Sequence, residues 1–220
     1  MTVSTHETEP AVPRRSQASR RSESDRRMLR AAARLIARRG VAGTSLADVG
    51  VAAGYSRGLP VERFGSKLGL IGTLLEATDA WFQAHLVRIL EGKSGLPALR
   101  LRLEAHLGSI ERSRSATAAL YSIYMESLCV MPELKPAVID FTNRWRVGLA
   151  AHLREAQAAG HVHKDIDCMA EAGFLLAAMR GLMIQHLMDQ ATSDLAVSKD
   201  ILLSHLRERL VTPQGRRMLR

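Results

Sequence analysis

The chain has 220 residues, 31 Lys and Arg against 22 Asp and Glu, and a formal net charge of +9. Its two cysteines, Cys129 and Cys168, exclude a disulfide framework, lack metal-ligand spacing and favour a reducing cytoplasm. The most apolar segment, residues 169–188, is interrupted by charged and polar side chains, and no apolar stretch follows the N-terminal arginines. We therefore expect neither a membrane span nor a secretory signal.

The positive charge is concentrated in the N-terminal third. Residues 1–67 hold 13 Lys and Arg and 6 Asp and Glu, a balance of +7, whereas the remaining residues hold 18 and 16, a balance of +2. A basic segment of this kind indicates a polyanionic partner such as nucleic acid, or an anionic membrane surface. Residues 1–22, rich in Ser, Thr, Pro and Arg, are predicted to be a disordered basic tail, which could still touch phosphates.

The first predicted helix begins near Asp25, where apolar residues fall at helical spacing, and Gly40 follows it as a C-cap. Another face of this helix carries a basic stripe, Arg30, Arg34 and Arg38. We therefore predict an amphipathic helix whose polar side is cationic.

A second, short helix is predicted to begin at Ser45, which with Asp48 has the spacing of a capping box, and Thr44 is the alternative N-cap. Gly50 lies inside this helix, where it costs about 1 kcal/mol relative to Ala. Close approach of another helix would compensate for that cost.

A tight turn and a third helix follow. Gly54 is predicted to end the second helix in the left-handed conformation, and Ser56 to cap a third helix that runs to about Arg63. Pro60 falls in or just after its first turn, where few intrahelical bonds are lost. Helix, short glycine-containing turn and helix form the helix-turn-helix arrangement, whose second helix enters the major groove of DNA.

Residues 28–75 resemble the DNA-binding region of TetR-family transcriptional regulators. In that family a glycine ends the first helix, Thr or Ser opens the second, Ala-Gly, an apolar residue and Ser form the turn, and Phe followed by Ser-Lys precedes the fourth helix. The matching residues here are Gly40, Thr44-Ser45, Ala53-Gly54-Tyr55-Ser56, and Phe64 with Ser66-Lys67. The match is specific because it extends over some fifty residues in register.

The resemblance implies a set of DNA contacts, although Val61 replaces a backbone-contacting Tyr, Arg63 replaces a common His, and the acidic Glu62 would repel phosphate unless it accepts from a cytosine amine. Arg57 is predicted to contact a base or a phosphate, and Arg63 to contact either. Ser45, Tyr55, Ser56 and Lys67 are predicted to contact the DNA backbone. The complete predicted set is Thr44, Ser45, Tyr55, Ser56, Arg57, Gly58, Leu59, Arg63 and Lys67.

Helical spacing continues to the C-terminus, and no strand pattern is evident, so an all-α fold is expected. A helix from Ser66 to about residue 90, with Leu70, Leu74, Ala77, Trp81 and His85 along one side, would be shared by two domains. Further helices are predicted over about 98–112, 116–130, 133–159, 167–188 and 198–211. The predicted domains are a helix-turn-helix DNA-binding domain over residues 23–68, a helical ligand-binding and dimerisation domain over 69–212, and a tail over 213–220.

The helix predicted over 167–188 is apolar almost all round, and the final helix is short, so both require cover from outside the subunit. We predict a homodimer in which these two helices of each subunit form a four-helix bundle. The predicted interface residues are Leu175, Leu182, Met183, Ile201, Leu202 and Leu206.

A ligand site is the next prediction. Tyr121, Tyr124, Met125 and Leu128 form a stripe at helical spacing, which by itself is more often plain core. The family resemblance implies that the C-terminal domain binds a small apolar molecule there, with His106, the tyrosine hydroxyls and Arg180 as polar groups. The predicted ligand-binding residues are His106, Tyr121, Tyr124, Met125, Phe141, Trp145, Phe174 and Met179.

The alternative function is a helical metal-dependent enzyme using the segment "GHVHKDID", with His161, His163, Asp165 and Asp167 as ligands or acid and base groups. These residues share a side only if the segment is extended, and the competing interpretation is a loop whose Asp165 or Asp167 caps the next helix. We predict no enzyme, no metal site and no cofactor. The predicted function is a cytoplasmic repressor that binds a palindromic operator in double-stranded DNA as a homodimer and is released by a small apolar ligand.

Overall fold

The computed structural model describes residues 17–219. Within that range the secondary structure is helical, apart from one isolated bridge between Val162 and Val211. The α-helices, in chain order, are α1 Gln17–Arg39, α2 Leu46–Ala52, α3 Leu59–Phe64, α4 Lys67–Leu90, α5 Gly95–Leu107, α6 Ser109–Arg112, α7 Arg114–Cys129, α8 Lys135–Ala158, α9 Cys168–Met188 and α10 Leu195–Leu210. The all-α prediction is confirmed.

Both predicted tails need correction. Residues 1–16 lie outside the described range, but residues 17–22, assigned to the disordered tail, form the first turns of α1. Glu23 pairs there with Arg26 at 2.9 Å and Arg27 at 3.1 Å, and no helix breaker interrupts the segment. At the other end, Gly215–Leu219 is a 3-10 helix that packs against α5, and Gly215 is buried. Local composition suggested tails because it does not reveal these tertiary contacts.

The predicted ends of α1 and α2 are confirmed. Ser45 and Asp48 form the predicted capping box, with the Ser45 hydroxyl accepting from the Asp48 N–H at 3.1 Å. Gly40 and Gly54 have φ values of +74° and +80°, as their cap roles require. A Cβ on Gly50 would lie 2.4 Å from the Ser56 carbonyl oxygen and 3.1 Å from Pro60 Cδ, which confirms the predicted close approach.

The predicted capping of α3 by Ser56 is wrong. The helix begins later, at Leu59, with Gly58 as its N-cap and no side-chain cap bond. The turn between α2 and α3 is longer than the spacing suggested, so Ser56 lies before the N-cap position. Its carbonyl, and not its hydroxyl, accepts from the Leu59 N–H at 3.3 Å.

Helix α4 belongs to both halves of the molecule. Ser66 caps it by accepting from the Gly69 N–H at 3.1 Å. Leu70 and Leu74 are buried on the side of α1, but Trp81, predicted on the same face, is 47% exposed. The buried face rotates along the helix because its first half packs against α1 and its second half against α5 and α8.

The C-terminal domain is built around α5, α8 and α9, while α7 packs along α1 and joins the two domains. The helix predicted over about 98–112 begins earlier, at Gly95, and is divided at Gly108 into α5 and α6. Among residues 17–219, α9 alone is long and apolar enough to cross a membrane by length and composition. It packs against α5, α8 and α10 within the domain.

Candidate DNA-binding surface and ligand-binding region

The start of α3 and the turn before it form an exposed surface. Ser56, Arg57 and Gly58 are exposed, and Tyr55 and Leu59 are half-buried. The close contact between Gly50 and the turn fixes α3 against α2. Arg57 therefore projects from a rigid support into solvent, where its guanidinium can reach a base edge or a phosphate.

Arg63, predicted to contact DNA, forms an ion pair that connects α3 to α1. Its Nε donates to Asp25 Oδ1 at 2.9 Å, and its second nitrogen approaches the same carboxylate at 2.6 Å. It also donates to the Arg21 carbonyl at 3.0 Å, and the side chain is only 10% exposed. Arg63 thus already has a partner, Asp25, 38 residues earlier in the chain, and the predicted contact with DNA would require this pair to open.

Two further predicted DNA contacts are occupied inside the domain. Thr44 is buried, and its hydroxyl donates to the Gly40 carbonyl at 2.8 Å. Lys67 donates to the carbonyls of Val41 and Ala42, each at 3.0 Å. Both side chains hold the turn after α1 and are unavailable for phosphate in this arrangement.

A basic groove that sequence reasoning did not identify lies beside the helix-turn-helix. It has a volume of about 370 Å³, and its lining residues are Glu23, Arg27, Arg30, Arg34, Ala52 and Ala53. The Arg27 guanidinium bonded to Glu23 holds the pKa of that carboxyl below its usual range. The stripe at Arg30 and Arg34 was the available signal, but its position beside the end of α2 depends on packing.

The turn after α1 is also tied to the C-terminal domain. Glu126 on α7 accepts from the N–H groups of Val41 at 2.6 Å and Ala42 at 2.8 Å. A Cβ on Gly40 would lie 2.6 Å from a Glu126 carboxylate oxygen and would displace it from these two N–H groups, and the positive φ of Gly40 favours glycine here. Glu126 was missed because a partner 85 residues away leaves no local pattern.

The predicted ligand-binding residues are partly brought together. Trp145 stacks on Phe82 with ring centroids 4.3 Å apart and on Phe141 at 5.3 Å, and His106 meets it edge-on at 5.1 Å. Tyr124 extends this chain of rings from Phe141 at 6.4 Å. The same region buries two more of the predicted set, Tyr121 and Met179. We call the connected rings of Phe82, His106, Tyr124, Phe141 and Trp145 the aromatic cluster.

Met125 and Phe174 are corrections to that prediction. Their side chains are 50% and 61% exposed, so neither lies in the interior of the subunit. Met125 follows Tyr124 directly, and a one-residue step rotates the side chain about 100° around a helix. Phe174 lies on the solvent-facing side of α9, whose all-round apolar pattern gave no information about which face is buried.

Two buried side chains beside the aromatic cluster carry polar atoms without partners, although the Asp79 carboxylate accepts from the Trp145 indole on another side of the cluster. Arg102 and His106 are only 5% and 6% exposed, and Arg102 Nη2 and both His106 ring nitrogens have no hydrogen-bond partner among the described residues. Arg180 donates to the Tyr124 hydroxyl at 2.8 Å. A buried donor left unsatisfied costs about 1 to 3 kcal/mol, and more when it is charged. Arg102 was missed because a single arginine in an amphipathic helix looks like a solvated residue.

Burial sets the ionisation of these groups. Desolvation lowers the pKa of His106 to about 3, and the positive charges of Arg180 and Arg102 act in the same direction. Desolvation also lowers the pKa of Arg102 to about 10, against the opposing effect of Asp79. At neutral pH the imidazole of His106 in the cluster is therefore neutral, and the guanidinium of Arg102 beside it is charged.

The segment proposed as a metal site has a structural role in this arrangement. Asp167 caps α9 by accepting from the N–H groups of Met169 at 2.8 Å and Ala170 at 3.1 Å, as the competing interpretation predicted. The His163 N–H donates to the Leu210 carbonyl at 3.0 Å. Across residues 17–219, no group of three His, Cys, Asp or Glu side chains is placed to hold a metal ion.

The predicted dimer residues are mostly used inside the subunit. Leu175, Met183, Leu202 and Leu206 are buried in their own chain, which corrects their assignment to an interface, whereas Leu182 is half-buried and Ile201 is exposed. Large apolar side chains remain exposed on α9 and α10. They are Phe174 at 61%, Met188 at 81%, Val197 at 54% and Ile201 at 52%.

Two family models match the chain. Residues 28–74 match the model described as bacterial regulatory proteins of the tetR family, and residues 97–211 match the model described as the C-terminal part of BetI-type transcriptional repressors. A search of curated protein sequences found no match.

Solved structures with the same fold include several regulators. A TetR-family transcriptional regulator from Rhodococcus sp. is 23% identical, with a TM-score of 0.76 over 85% of this chain and 98% of the other. A transcriptional regulator from Saccharomonospora viridis in complex with choline is 25% identical, with a TM-score of 0.74 over 87% and 99%. The transcriptional regulator FadR from Bacillus subtilis in complex with stearoyl-CoA is 16% identical, with a TM-score of 0.73 over 82% and 96%.

Proposed function

This chain belongs to the TetR family of bacterial transcriptional regulators, and we propose that it is a cytoplasmic repressor that binds a palindromic operator as a homodimer until a small molecule releases it. The observation that carries the proposal is the exposed Arg57 in the turn before α3, a turn that packs closely against Gly50 of α2. A rigid support favours specific recognition because little side-chain and backbone order is lost on binding.

The basic groove extends this surface. Arg30 and Arg34 on α1 lie beside the end of α2, so the positive charge is continuous with the helix-turn-helix. Cations at these positions would contact phosphates and set the orientation of α3 in the major groove. Binding would then weaken steeply with salt, because each neutralised phosphate releases condensed counterions.

Dimerisation is supported by the exposed apolar residues of α9 and α10. Phe174 and Met188 on α9, and Val197 and Ile201 on α10, are each more than half exposed. A two-fold interface that covers these side chains would pair the same helices from both subunits. The two recognition helices would then meet half-sites about 34 Å apart, one turn of DNA.

Release by a ligand is supported by two connections between the domains. Phe82 of α4 belongs to the aromatic cluster, and the same helix begins at Lys67, which binds the turn after α1. Tyr124 of the cluster lies on α7 two residues before Glu126, which binds the same turn. A ligand that displaces these rings would move both attachments, and hence the helix-turn-helix, provided that it binds the DNA-incompetent form more tightly.

The related structures are consistent with a small-molecule site in this domain. The Saccharomonospora viridis regulator was solved with choline and the Bacillus subtilis FadR with stearoyl-CoA. These ligands differ in size and charge, so they support the binding of a small molecule in general and do not favour one class of ligand.

Selection from random duplex DNA tests the proposal, and an enriched palindrome is the expected result. Replacing the exposed Arg57 with Ala should weaken binding to that duplex by about 1 to 3 kcal/mol if it contacts a base. Arg88→Ala, at the opposite end of α4, is the matched control and should leave affinity unchanged. The absence of an enriched palindrome, or a monomer by sedimentation at micromolar concentration, would overturn the dimeric repressor.

A further inference from the structure

We propose that the ligand is an organic carboxylate with an apolar body, and that Arg102 binds its carboxylate beside the aromatic cluster. The inference rests on the proposed ligand-responsive function and adds the chemical class of the ligand. It also assigns a binding role to a residue that the family comparison leaves without one.

The position of Arg102 is prepared by its neighbours. A Cβ on Gly148 would lie 2.5 Å from one terminal nitrogen of the Arg102 guanidinium and 2.7 Å from the other, so α8 has no side chain where this group lies. The guanidinium carbon is 5.9 Å from the centroid of the Phe82 ring. Arg102 is thus directed against the end of the aromatic cluster that contains Phe82.

Among the described residues, no carboxylate binds Arg102. Asp79 accepts instead from Arg144 at 2.8 Å and from the Trp145 indole at 3.0 Å. Glu155 on α8 accepts from the Gly95 N–H at 2.9 Å. The residue is 95% buried and its Nη2 has no partner among the described residues, so the planar guanidinium keeps a buried donor without an acceptor.

The charges around the aromatic cluster favour an anion over a cation. Stacked rings can bind a quaternary ammonium group through their π faces. Here, however, Arg102 lies beside Phe82 and Arg180 lies 4.5 Å from the Tyr124 centroid, so cations already occupy positions next to the rings. The Asp79 carboxylate bonded to Trp145 is itself paired with Arg144. A second cation would be repelled, whereas a carboxylate would gain a charge-assisted bidentate pair with Arg102.

The remaining surroundings define the body of the ligand. The rings of Phe82, Phe141 and Trp145 are buried and apolar, and His106 is the further unpartnered polar group beside them. Its neutral imidazole offers one donor and one acceptor. Because the rings are already in contact, entry of an apolar body requires them to separate, which connects binding to Phe82 on α4.

The test compares matched probes on the full-length protein. Decanoate and 4-phenylbutyrate are each titrated beside the corresponding alcohol and the corresponding trimethylammonium compound. Trp81→Phe removes the exposed indole and leaves Trp145 as the fluorescence reporter, since the chain has two tryptophans. At least one acid should bind about tenfold more tightly than its alcohol and its ammonium counterpart, the difference expected of a charged hydrogen bond.

Two variants assign the effect to Arg102. Arg102→Met should abolish the preference for acid over alcohol, and Arg102→Lys should retain part of it because the positive charge remains. Without any probe, Arg102→Met should raise the melting temperature, since it removes an unpaired buried charge. A lower melting temperature together with an unchanged acid preference would make Arg102 structural and overturn the proposal.

Operator affinity, measured on the same proteins, separates the two proposals. If the selected duplex binds normally but neither acid is preferred over its alcohol, the carboxylate assignment is overturned and DNA binding stands. If a trimethylammonium probe binds best and releases the operator, ligand control stands and the charge of the ligand is the opposite of that proposed.

Discussion

The DNA-binding domain and the C-terminal domain differ in whether their buried polar groups have hydrogen-bond partners. In the first, Arg63, Lys67 and Thr44 each donate to a partner within the domain. In the second, Arg102 and His106 are buried with polar atoms that have no partner among the described residues. A region whose polar groups are all matched is stabilised in one arrangement, whereas a region with unmatched groups gains free energy when a ligand supplies the partners.

The largest effect is expected from a substitution that disrupts the close contact between Gly50 of α2 and the turn before α3. Gly50→Ala places a Cβ 2.4 Å from the Ser56 carbonyl oxygen, a backbone atom that cannot move without separating the turn and α3 from α2. We expect a loss of about 3 kcal/mol of unfolding free energy, measured by denaturant titration.

Gly72→Ala in α4 is its matched control. A Cβ there meets no atom within 4 Å, so the substitution should instead add about 0.5 to 1 kcal/mol through helix propensity. Equal effects of the two alanines would contradict the rigid contact.

The next largest effect is expected from loss of the Arg63–Asp25 ion pair between α3 and α1. Arg63→Ala removes both bonds to Asp25 and leaves that carboxylate, 33% exposed, without its cation. We expect a loss of about 2 kcal/mol, between the values of exposed and buried pairs. Asp25→Ala should add little in the Arg63→Ala background, because the two side chains act as one unit. A loss of operator affinity with unchanged stability would restore Arg63 as a DNA contact.

The connection between the two domains gives a smaller effect. Glu126→Gln keeps the size of the side chain but removes the charge that accepts from the Val41 and Ala42 N–H groups. We expect a loss of about 1.5 kcal/mol of stability and a weaker effect of ligand on operator affinity. Ser122→Ala, which removes only a hydroxyl bound to Glu126 at 2.9 Å, is the control. If the ligand changes operator affinity equally in Glu126→Gln and in wild type, α4 alone connects the ligand site to the helix-turn-helix.

The smallest effect concerns pH and the C-terminal domain. Burial lowers the pKa of His106 from its ordinary 6.5 to about 3. Below pH 6.5 this histidine is therefore protonated in the unfolded chain, whereas it stays neutral in the folded protein down to about pH 3. The stability from this group is complete above pH 6.5 and is lost as pH falls below that value, and the loss between pH 6 and pH 5 is about 1 kcal/mol.

His106→Leu should therefore flatten the dependence of unfolding free energy on pH between 6 and 5. His205→Leu, exposed on α10, should not change it. The same slope in wild type and His106→Leu would mean that His106 is protonated in the folded protein.

Local patterns predicted the DNA-binding domain well in its backbone and poorly in its side chains. The N-cap at Ser45, the C-cap at Gly40 and the left-handed Gly54 were identified because capping and turn chemistry act within four residues. Arg63 was assigned to DNA because its partner lies on another helix.

The C-terminal domain was predicted less completely. Helical spacing located α8 and α9 nearly to the residue, and the Asp167 cap followed from its position between them. The spacing did not decide which residues of α9 are buried, because a helix that is apolar on every side has no preferred face. Leu175 and Met183 were consequently assigned to an interface, and Phe174 to the interior.

The sequence by itself determined the helices, the turn of the helix-turn-helix and the family, since each depends on residues close together in the chain or on one continuous motif. The tertiary structure decided which polar groups have partners. Asp25 satisfies Arg63, Glu126 on α7 holds the turn after α1, and Arg102 is buried without an acceptor. These outcomes depend on contacts between residues far apart in sequence, and such contacts form only when the helices pack against one another.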